Sequence, residues 1–501
     1  MCRFASEKLG TFPALFLCGH EWYGEIKRGS KEKDLPSSLK SHLTKKHTHT
    51  HKTKQKQTMS GYRALHRHTE TPTGTTTTTT SEQEAAPTSY QPCPVFAVQF
   101  SPCNQTHHTQ RSATAATTAP PSRILASSAD GFIRCYKITD KSAKADVLDA
   151  SALSMTLDQV MLQSSNDVYP KSMEECQISL GSTALSVIRN YLGEDPNAGG
   201  EITASMRLDG HVSILKREEQ PVYSEGDADA DADVGMQGDC EVEVVIPDIE
   251  FHVKGATGTT MMLLPPQLTG FSRHGIVMMV GMLDGSVSFI CSGVGIPDSR
   301  KGNDASKFSE QGLVLDSVGS GNSIPLSLAV HPRHHLTFAV GRKDGTIDLY
   351  SSGDDACNDD VYGQFRRCHR LTQHAGSPVR ALCYTPDGSL LISACDDGHI
   401  YIHDMSSFHK NESIRLVAAI HNAHKGYVLS IDVLPDSKRF ITSSADRTVK
   451  VWNVGTPNVG PVHTFEAGNQ SMIWDVSCSL DGRRCVSCSD DGCVQIYSCD
   501  E

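Results

Sequence analysis

Three groups of residues have types that could hold a metal. Cys485 and Cys488 have the spacing of zinc ligands, but their surroundings alternate like a β-strand, where residues three apart face opposite sides. The histidines of 47–51 alternate with threonine, which is typical of a flexible tract. The carboxylates of 227–233 alternate with alanine and lack the glycine and the final glutamate of a calcium loop. We therefore expect no metal and no cofactor.

Catalytic motifs are equally weak. The sequence has no phosphate-binding glycine loop followed by Lys-Ser or Lys-Thr, and no Gly-x-Ser-x-Gly turn that would present a nucleophile. The pair Gly319 and Gly321 lacks the rest of a dinucleotide-binding pattern. We expect the chain not to be an enzyme.

One unit of sequence recurs along the chain. An apolar strand leads through small and polar residues to an aspartate that is usually followed by glycine, and a second strand follows in which apolar and polar residues alternate. The clearest copies are residues 391–404, 440–453 and 485–497. An aspartate can accept hydrogen bonds from the backbone of a turn, and glycine readily adopts positive φ. Each unit therefore predicts a β-hairpin.

Seven aspartates occupy this turn position, namely Asp130, Asp209, Asp284, Asp344, Asp397, Asp446 and Asp491. Successive turn aspartates are 79, 75, 60, 53, 49 and 45 residues apart. The spacing approaches the roughly 40–45 residues of one four-stranded propeller blade. We predict an all-β fold, a seven-bladed β-propeller over residues 92–501.

The first repeats are longer because they carry inserts. Residues 104–121 are rich in Thr, Gln and Ala, residues 224–242 are acidic, and residues 293–321 are rich in Gly, Ser and Asp. Such compositions bury little apolar surface, so we expect disordered loops there.

Bulk composition narrows the class of protein. The formal net charge of −12 disfavours direct binding of nucleic acid. Seventeen cysteines without a regular spacing indicate reduced thiols, as in the cytoplasm and nucleus. No apolar run reaches the roughly 18 residues of a membrane span, so we expect no membrane association.

The repeat resembles the WD repeats, which are named for a strand ending in Trp-Asp; here Val-Lys-Val-Trp-Asn occupies 449–453. Such repeats often hold a buried, hydrogen-bonded tetrad. In the sixth repeat the resemblance implies His424, Thr442, Asp446 and Trp452. The fifth repeat has His374, Ser393 and Asp397 with His403 in the Trp place, the seventh has Ser487 and Asp491 with Tyr497, and the fourth has Val340 in the Ser/Thr place.

Within the WD repeats the chain is most similar to the WD-repeat subunit of the superkiller complex, which is also found in the polymerase-associated factor complex. The likeness covers roughly residues 92–501 and is densest from Leu371 onward, including Val454-Gly455 and Val462-His-Thr-Phe465. It implies a monomeric subunit of a hetero-complex that binds a tetratricopeptide-repeat scaffold and a helicase in 3′-to-5′ mRNA decay. A role in transcription elongation is also implied.

A propeller must close, because an open ring exposes a strand edge. Residues 62–68 are the best candidate for a closing strand, followed by a Thr-rich linker, so we assign residues 59–91 to closure. We expect Met59 to be the biological start, so that the basic segment 1–58 would be untranslated, and we expect that segment to be unfolded; a genuine basic tail is the alternative.

Partner binding is expected where the innermost strands begin, around the channel mouth. Aligning the seven strands gives a largely apolar ring of Phe96, Leu185, Met261, Leu326, Arg380, Leu429 and Trp474. Aromatic residues and Arg dominate binding energy at protein interfaces, so Phe96, Arg380 and Trp474 are the favoured contacts. For Leu185, Leu326 and Leu429, simple packing in the channel is an equal alternative.

Two other functions remain open from the sequence. The chain could be a different WD-repeat adaptor, such as a substrate receptor of a ubiquitin ligase or a signalling scaffold resembling a G-protein β subunit. It could also be an enzyme on a propeller scaffold, which would need convergent carboxylates or histidines at the mouth. The predicted ring is apolar, which favours a non-catalytic scaffold.

Overall fold

The fold is seen in a computed structural model that describes fourteen stretches of the chain. They are residues 62–69, 93–101, 122–140, 153–162, 181–189, 200–218, 242–264, 276–291, 313–333, 337–352, 365–374, 376–408, 413–465 and 471–499. The chain divides into two units, 1–58 and 59–501, and every described strand belongs to the second. The basic segment 1–58, the linker 70–91 and most of the three inserts lie outside the described residues.

The described strands form seven sheets, antiparallel except for one pair of strands in blade 1, so the prediction of a seven-bladed all-β propeller is confirmed. In chain order, the strands of the first three blades are β2 (Val95–Phe100), β3 (Ser122–Ser128), β4 (Ile133–Asp140) and β5 (Leu153–Met161) of blade 1; β6 (Ser182–Arg189), β7 (Gly200–Arg207), β8 (His211–Glu218) and β10 (Ile249–His252) of blade 2; and β11 (Ala256–Leu263), β12 (Val277–Met282), β13 (Val287–Cys291) and β14 (Leu313–Val318) of blade 3.

The later blades are more regular. Their strands are β15 (Pro325–Val330), β16 (Thr337–Arg342), β17 (Ile347–Ser352) and β18 (Phe365–Leu371) of blade 4; β19 (Val379–Tyr384), β20 (Leu390–Cys395), β21 (Ile400–Asp404) and β22 (Arg415–Ile420) of blade 5; β23 (Val428–Val433), β24 (Arg439–Ser444), β25 (Val449–Asn453) and β26 (His463–Phe465) of blade 6; and β27 (Ile473–Cys478), β28 (Arg484–Ser489) and β29 (Cys493–Cys499) of blade 7. A 3-10 turn, Pro457–Val459, precedes β26.

Two strands join a blade that is distant from them in sequence. The strand β1 (Tyr62–Thr69) pairs antiparallel with β29 and becomes the outermost strand of blade 7, at the place predicted for the closing strand. The short strand β9 (Glu243–Val245) lies between β8 and β10 in sequence, yet it pairs in parallel with β5 as a fifth strand of blade 1. No pattern in the sequence predicted β9.

The hydrophobic core lies between blades. Each of the seven junctions has its own cluster of buried side chains. At the junction of blades 7 and 1, for example, Val95 and Ile124 of blade 1 pack with Val486 and Ile496 of blade 7. Because each blade presents two apolar faces, neither a single blade nor an open ring could bury them all.

Polar side chains also tie the innermost strands together. An innermost strand pairs with its own blade along one edge only, which leaves the N–H groups of its other edge to be satisfied. Asp432 accepts from the N–H of Cys478 at 2.6 Å, and Asp475 accepts from the N–H of Val98 at 2.9 Å. In the same way, Gln99 of blade 1 accepts from an N–H of blade 2, and Ser186 of blade 2 accepts from an N–H of blade 3. These bonds run from blade 6 through blades 7, 1 and 2 to blade 3.

No helix in the described stretches is long and apolar enough to cross a membrane.

The turn glycines give the first testable prediction. Gly285 and Gly321 both have φ of about +80° to +90°. A Cβ at Gly285 would overlap the carbonyl oxygen of Asn322, whereas a Cβ at Gly321 would have no atom within 4 Å. We expect Gly321→Ala to cost about 1 kcal/mol from backbone strain alone, and Gly285→Ala at least about 2 kcal/mol more because the loop must also move. Thermal and urea unfolding midpoints check this; equal shifts for the two variants would contradict the close approach.

Candidate functional site: the channel mouth

The seven predicted turn aspartates share one geometry. Each carboxylate accepts the N–H of the residue two positions later, at 2.9–3.2 Å, in Asp130, Asp209, Asp284, Asp344, Asp397, Asp446 and Asp491. The residue after each aspartate has positive φ, and it is glycine in six turns and Arg447 in the other. The turns therefore fix the ends of the second strands beside the starts of the innermost strands.

Five of the predicted mouth residues lie at one equivalent position. Phe96, Leu326, Arg380, Leu429 and Trp474 are each the second residue of an innermost strand, and in each case the strand bulges there. A bulged residue has no opposite partner in the ladder, so the strand bends and its side chain is redirected. Leu326 is buried, and the other four are half-buried.

The predicted positions in blades 2 and 3 were wrong by two residues. In blade 2 the bulge lies between Ser182 and Ala184, so Thr183 and not Leu185 is the mouth residue. In blade 3 the pairing of Met261 with Val280 places Thr259 at the equivalent position. Leu185 and Met261 are buried and belong to clusters between blades. A shift of two keeps the strand face unchanged, so alternation alone could not reveal the error.

The corrected ring is uneven. Blades 2 and 3 contribute only threonines, whereas blades 5, 6, 7 and 1 contribute large side chains. Phe96 and Trp474 meet edge to face with their ring centroids 5.5 Å apart. The Arg380 guanidinium lies 5.9 Å from the ring centroid of Tyr427, whose side chain is 52% exposed. We call these groups, with the carboxylates described next, the mouth arc: Arg380, Asp396, Tyr427, Leu429, Asp490, Trp474 and Phe96.

Two carboxylates complete the mouth arc. Asp396 and Asp490 each precede a turn aspartate and reach the mouth residue of their own blade. Arg380 donates two hydrogen bonds to Asp396, one of them at 3.0 Å, and the indole N–H of Trp474 donates to Asp490 at 3.4 Å. Burial raises the pKa of the Asp396 carboxyl, although its hydrogen bonds from Arg380 oppose this.

Tyr427, Asp396 and Asp490 were missed in the sequence. Tyr427 immediately precedes β23, and the two aspartates immediately precede turn aspartates, so the repeat alignment itself contained the signal. The arc combines flat aromatic surfaces, one guanidinium and two carboxylates whose partners already hold them in place. Such groups suit the binding of a peptide that brings both apolar and charged side chains.

The tetrad of blade 6 forms a directed chain of hydrogen bonds. The indole N–H of Trp452 donates to the Thr442 hydroxyl at 2.9 Å, and that hydroxyl lies 2.7 Å from Nε2 of His424. Nδ1 of His424 lies 3.0 Å from Asp446. Since Trp can only donate, the Thr442 hydroxyl donates onward to Nε2, and Nδ1–H donates to the carboxylate. Thr442 thus reaches Asp446 through His424.

The pKa shifts of His424 and Asp446 agree with this direction of hydrogen bonding. Burial lowers the pKa of His424, which keeps the imidazole neutral. Burial alone would raise the pKa of Asp446, but the hydrogen bond from His424 holds it below its usual range. The second oxygen of Asp446 accepts from Thr448 at 2.6 Å. The tetrad therefore couples the turn at Asp446 to the blade interior at Trp452.

The other predicted tetrads are partial. In blade 5, Nε2 of His374 lies 2.9 Å from the Ser393 hydroxyl, while His403, in the place of Trp452, is fully buried. Neither ring nitrogen of His403 has a hydrogen-bond partner among the described residues. In blade 7 the Ser487 hydroxyl lies 3.0 Å from that of Tyr497.

Blades 1 and 4 use arginine instead. In blade 1 Arg134 donates to Asp130 at 2.5 Å with both side chains buried. In blade 4, where Val340 takes the Ser/Thr place, the buried Arg342 bonds Asp348 at 2.6 Å and the carbonyl of Gly285 in blade 3 at 2.7 Å. Both arginines keep a buried carboxylate paired, which avoids a large desolvation cost.

The possible metal ligands do not converge. Cys485 packs in the cluster between blades 6 and 7, whereas Cys488 packs in the cluster between blades 7 and 1, so the two face opposite sides of β28. In the stretches that the structure describes, no three His, Cys, Asp or Glu side chains are placed to share a metal ion. The tracts 47–51 and 227–233 lie outside those stretches.

Comparison with known families gives a direct match in the later blades. The model of the WD domain, G-beta repeat, matches residues 365–404, 416–453 and 460–498. Each match spans the outermost strand of one blade and three strands of the next, from β18 to β29. Three stretches of this chain are WD40 repeats.

Curated relatives match parts of the chain. A "non-functional target of rapamycin complex subunit LST8-2" of Arabidopsis thaliana is 30% identical over 22% of this chain and 35% of its own length. The actin-interacting protein 1 of Drosophila melanogaster is 32% identical over 37% of this chain and 28% of its own length. The target of rapamycin complex subunit wat1 of Schizosaccharomyces pombe is 26% identical over 35% of this chain and 49% of its own length. The chain thus spans less than half the length of these relatives.

Among solved structures, the WD40 β-propeller domain of Doa1 covers 88% of this chain and 98% of its own, with 14% identity and a TM-score of 0.47. We draw nothing further from that likeness.

The tetrad yields a prediction about stability. Thr442→Val keeps the shape of the side chain but leaves the Trp452 N–H and the Nε2 atom of His424 without partners. We expect a loss of about 2–4 kcal/mol in the free energy of unfolding. Ser393→Ala in blade 5 removes the bond to His374 and a longer one, 3.4 Å, to the carbonyl of Tyr401, and we expect a loss of about 1 kcal/mol. Equal losses in chemical unfolding would show that the chain of hydrogen bonds adds nothing.

The buried histidines of blade 5 predict acid sensitivity. Burial lowers the pKa of both His374 and His403 from 6.5 to about 4. Because both histidines resist protonation in the folded state, their contribution to the free energy of unfolding is fully present above pH 6.5 and is lost as the pH falls toward 4. For His403 alone the loss between pH 7 and pH 5 is about 2 kcal/mol. We expect His403→Phe to reduce this loss, measured by unfolding at both pH values.

The matched control is Trp452→Phe, which changes the equivalent position of blade 6 without removing a titratable group. It should leave the difference between the two pH values unchanged. An unaltered pH dependence in His403→Phe would contradict the assignment to His403.

Proposed function

We propose that this chain is a non-catalytic scaffold whose mouth arc grips a short segment of a partner protein. The observation that carries the proposal is the arrangement of Phe96 against Trp474 and of Arg380 against the exposed Tyr427. Aromatic and guanidinium groups that remain accessible on a rigid frame are typical anchors of protein interfaces. The carboxylates of the arc would select against strongly acidic segments.

The rigidity of the site supports binding at low entropic cost. The innermost strands are held by cores on both sides and by hydrogen bonds between blades. The side chains of Arg380 and Trp474 are further held by Asp396 and Asp490. The conformational entropy lost on binding would therefore come mainly from the partner segment.

We further propose that the partner is the tetratricopeptide-repeat scaffold of the superkiller complex, where the chain would serve as a monomeric subunit in 3′-to-5′ mRNA decay. Support comes from the resemblance of residues 371–499 to the WD-repeat subunit of that complex, including the link from Val454 to Phe465. The names of the three relatives reported above do not mention this complex. A second role in the polymerase-associated factor complex, and hence a place in both cytoplasm and nucleus, rests on the same resemblance.

Affinity purification of tagged protein from its native cells tests both levels of the proposal. We expect the wild-type chain to recover a tetratricopeptide-repeat scaffold and a helicase, and Trp474→Ala and Arg380→Ala to reduce that recovery at least about tenfold, as hot-spot truncations do. Leu480→Ala, an exposed residue on a turn between β27 and β28, is the matched control and should recover both proteins normally.

The outcomes separate the two levels. Normal recovery with both mouth variants would reject the mouth arc as the binding site. Recovery of other proteins, such as a cullin-type ubiquitin ligase, whose capture depends on the mouth arc would keep the site and reject the superkiller complex.

A further inference from the structure

The strand β9 gives blade 1 a new outer edge. In the described stretches of blades 1, 3, 4, 5 and 7, the fourth strand counted outward from the channel contains a bulge, which disturbs the outer edge of that strand. A bulge discourages pairing with further strands where it occurs, and β9 pairs with β5 only at residues 159–161, beyond the bulge. The ladder between β5 and β9 has no register shift, as in the last strands of blades 2 and 6, so blade 1 ends in an undisturbed strand.

The direction of its backbone groups is fixed by one hydrogen bond. The N–H of Leu162 donates to the carbonyl of Val245 at 2.9 Å, so the backbone groups of Val245 point toward β5. The neighbouring residues of a strand point the opposite way. The N–H and C=O groups of Val244 and the N–H of Ile246, the residue after β9, therefore point outward, where no further described strand pairs with them.

The side chains of these two residues add apolar surface. Val244 is 46% exposed, and Ile246, the residue that follows β9, is 56% exposed. Large apolar residues exposed on an open strand edge are otherwise a liability. We call the outward backbone groups and side chains of Val244 and Ile246 the β9 edge.

The β9 edge is rigidly placed. On one side, Gln159 of β5 donates to the carboxylate of Glu243. On the other, the N–H of Asp248 donates to the carbonyl of Ile214, and the carboxylate of Asp248 accepts from the N–H of Lys216 at 2.5 Å. The edge is thus tied to blade 1 and blade 2 at once, and a bound strand would not have to order it.

Charge indicates the kind of partner. Glu243 and Asp248 flank the edge and are exposed. The sequence from 224 to 243 contains eight acidic residues and no Lys or Arg. A second copy of the chain would bring the same negative charges together, which disfavours a symmetric pair, whereas a basic segment would be attracted.

We propose that the β9 edge binds an extended, basic peptide segment of a partner protein by strand addition to blade 1. Main-chain hydrogen bonds to Val244 and Ile246 would hold the segment, and alternate apolar side chains would cover theirs. This surface is separate from the mouth arc and does not depend on the function proposed for it.

The test uses the full chain and a fluorescent peptide, acetyl-Lys-Val-Lys-Val-Lys-Val-Lys, in an anisotropy titration. We expect binding that the counterpart with Glu in place of Lys does not show. Val244→Pro removes the outward N–H without touching the ladder to β5, because edge positions tolerate proline. We expect it, and the same peptide N-methylated at alternate residues, to bind about tenfold more weakly.

Matched controls keep the result interpretable. Ile246→Ala should weaken binding, whereas Val314→Ala, another exposed valine on an outermost strand, should not. Circular dichroism and the melting midpoint show whether Val244→Pro remains folded, and the N-methylated peptide tests the same point on the unaltered protein. Equal affinity for the two peptides, equal affinity of the folded Val244→Pro variant, or a dimer of the chain that Val244→Pro dissociates would overturn the proposal.

Discussion

Closure of the ring is the constraint on which the rest of the structure depends. Every blade buries apolar side chains against both neighbours, so blade 7 must meet blade 1 or both lose a face. Three kinds of contact close the ring. The strand β1 pairs with β29 along its length, a cluster of buried residues fills the junction, and Asp475 and Ser477 accept the N–H groups of Val98 and Phe100.

The candidate binding surface depends directly on that closure. Phe96 belongs to blade 1 and Trp474 to blade 7, so the edge-to-face contact at the centre of the mouth arc crosses the seam. The arc then continues through blades 6 and 5, which are matched as WD40 repeats. In the rest of the mouth, blades 2 and 3 contribute threonines and blade 4 contributes Leu326. The seam that closes the ring and the proposed binding surface therefore share blades 7 and 1.

Much of the fold could be predicted because short stretches of sequence identify each blade. The turn aspartate, the glycine that usually follows it and the alternation of the next strand are properties of a few neighbouring residues, and they predicted seven blades; the tetrad members His424 and Trp452 came from the resemblance to the WD repeats. The mouth residues of blades 2 and 3 could not be placed, because a two-residue shift from Thr183 to Leu185 leaves the alternation unchanged. The strand β9 could not be found either, since its pairing with β5 is set by tertiary contacts between segments about 80 residues apart.

The most direct test of the account is site-specific photo-crosslinking around the mouth. A benzophenone amino acid would be introduced singly at Tyr427 or Leu429 in the mouth arc, and at Thr183 or Thr259 on the opposite side, in protein bound to its cellular partners. The account predicts that one partner protein crosslinks from Tyr427 and Leu429 and not from the two threonine positions. Crosslinks that arise mainly from Thr183 and Thr259, or from none of the four positions, would contradict it.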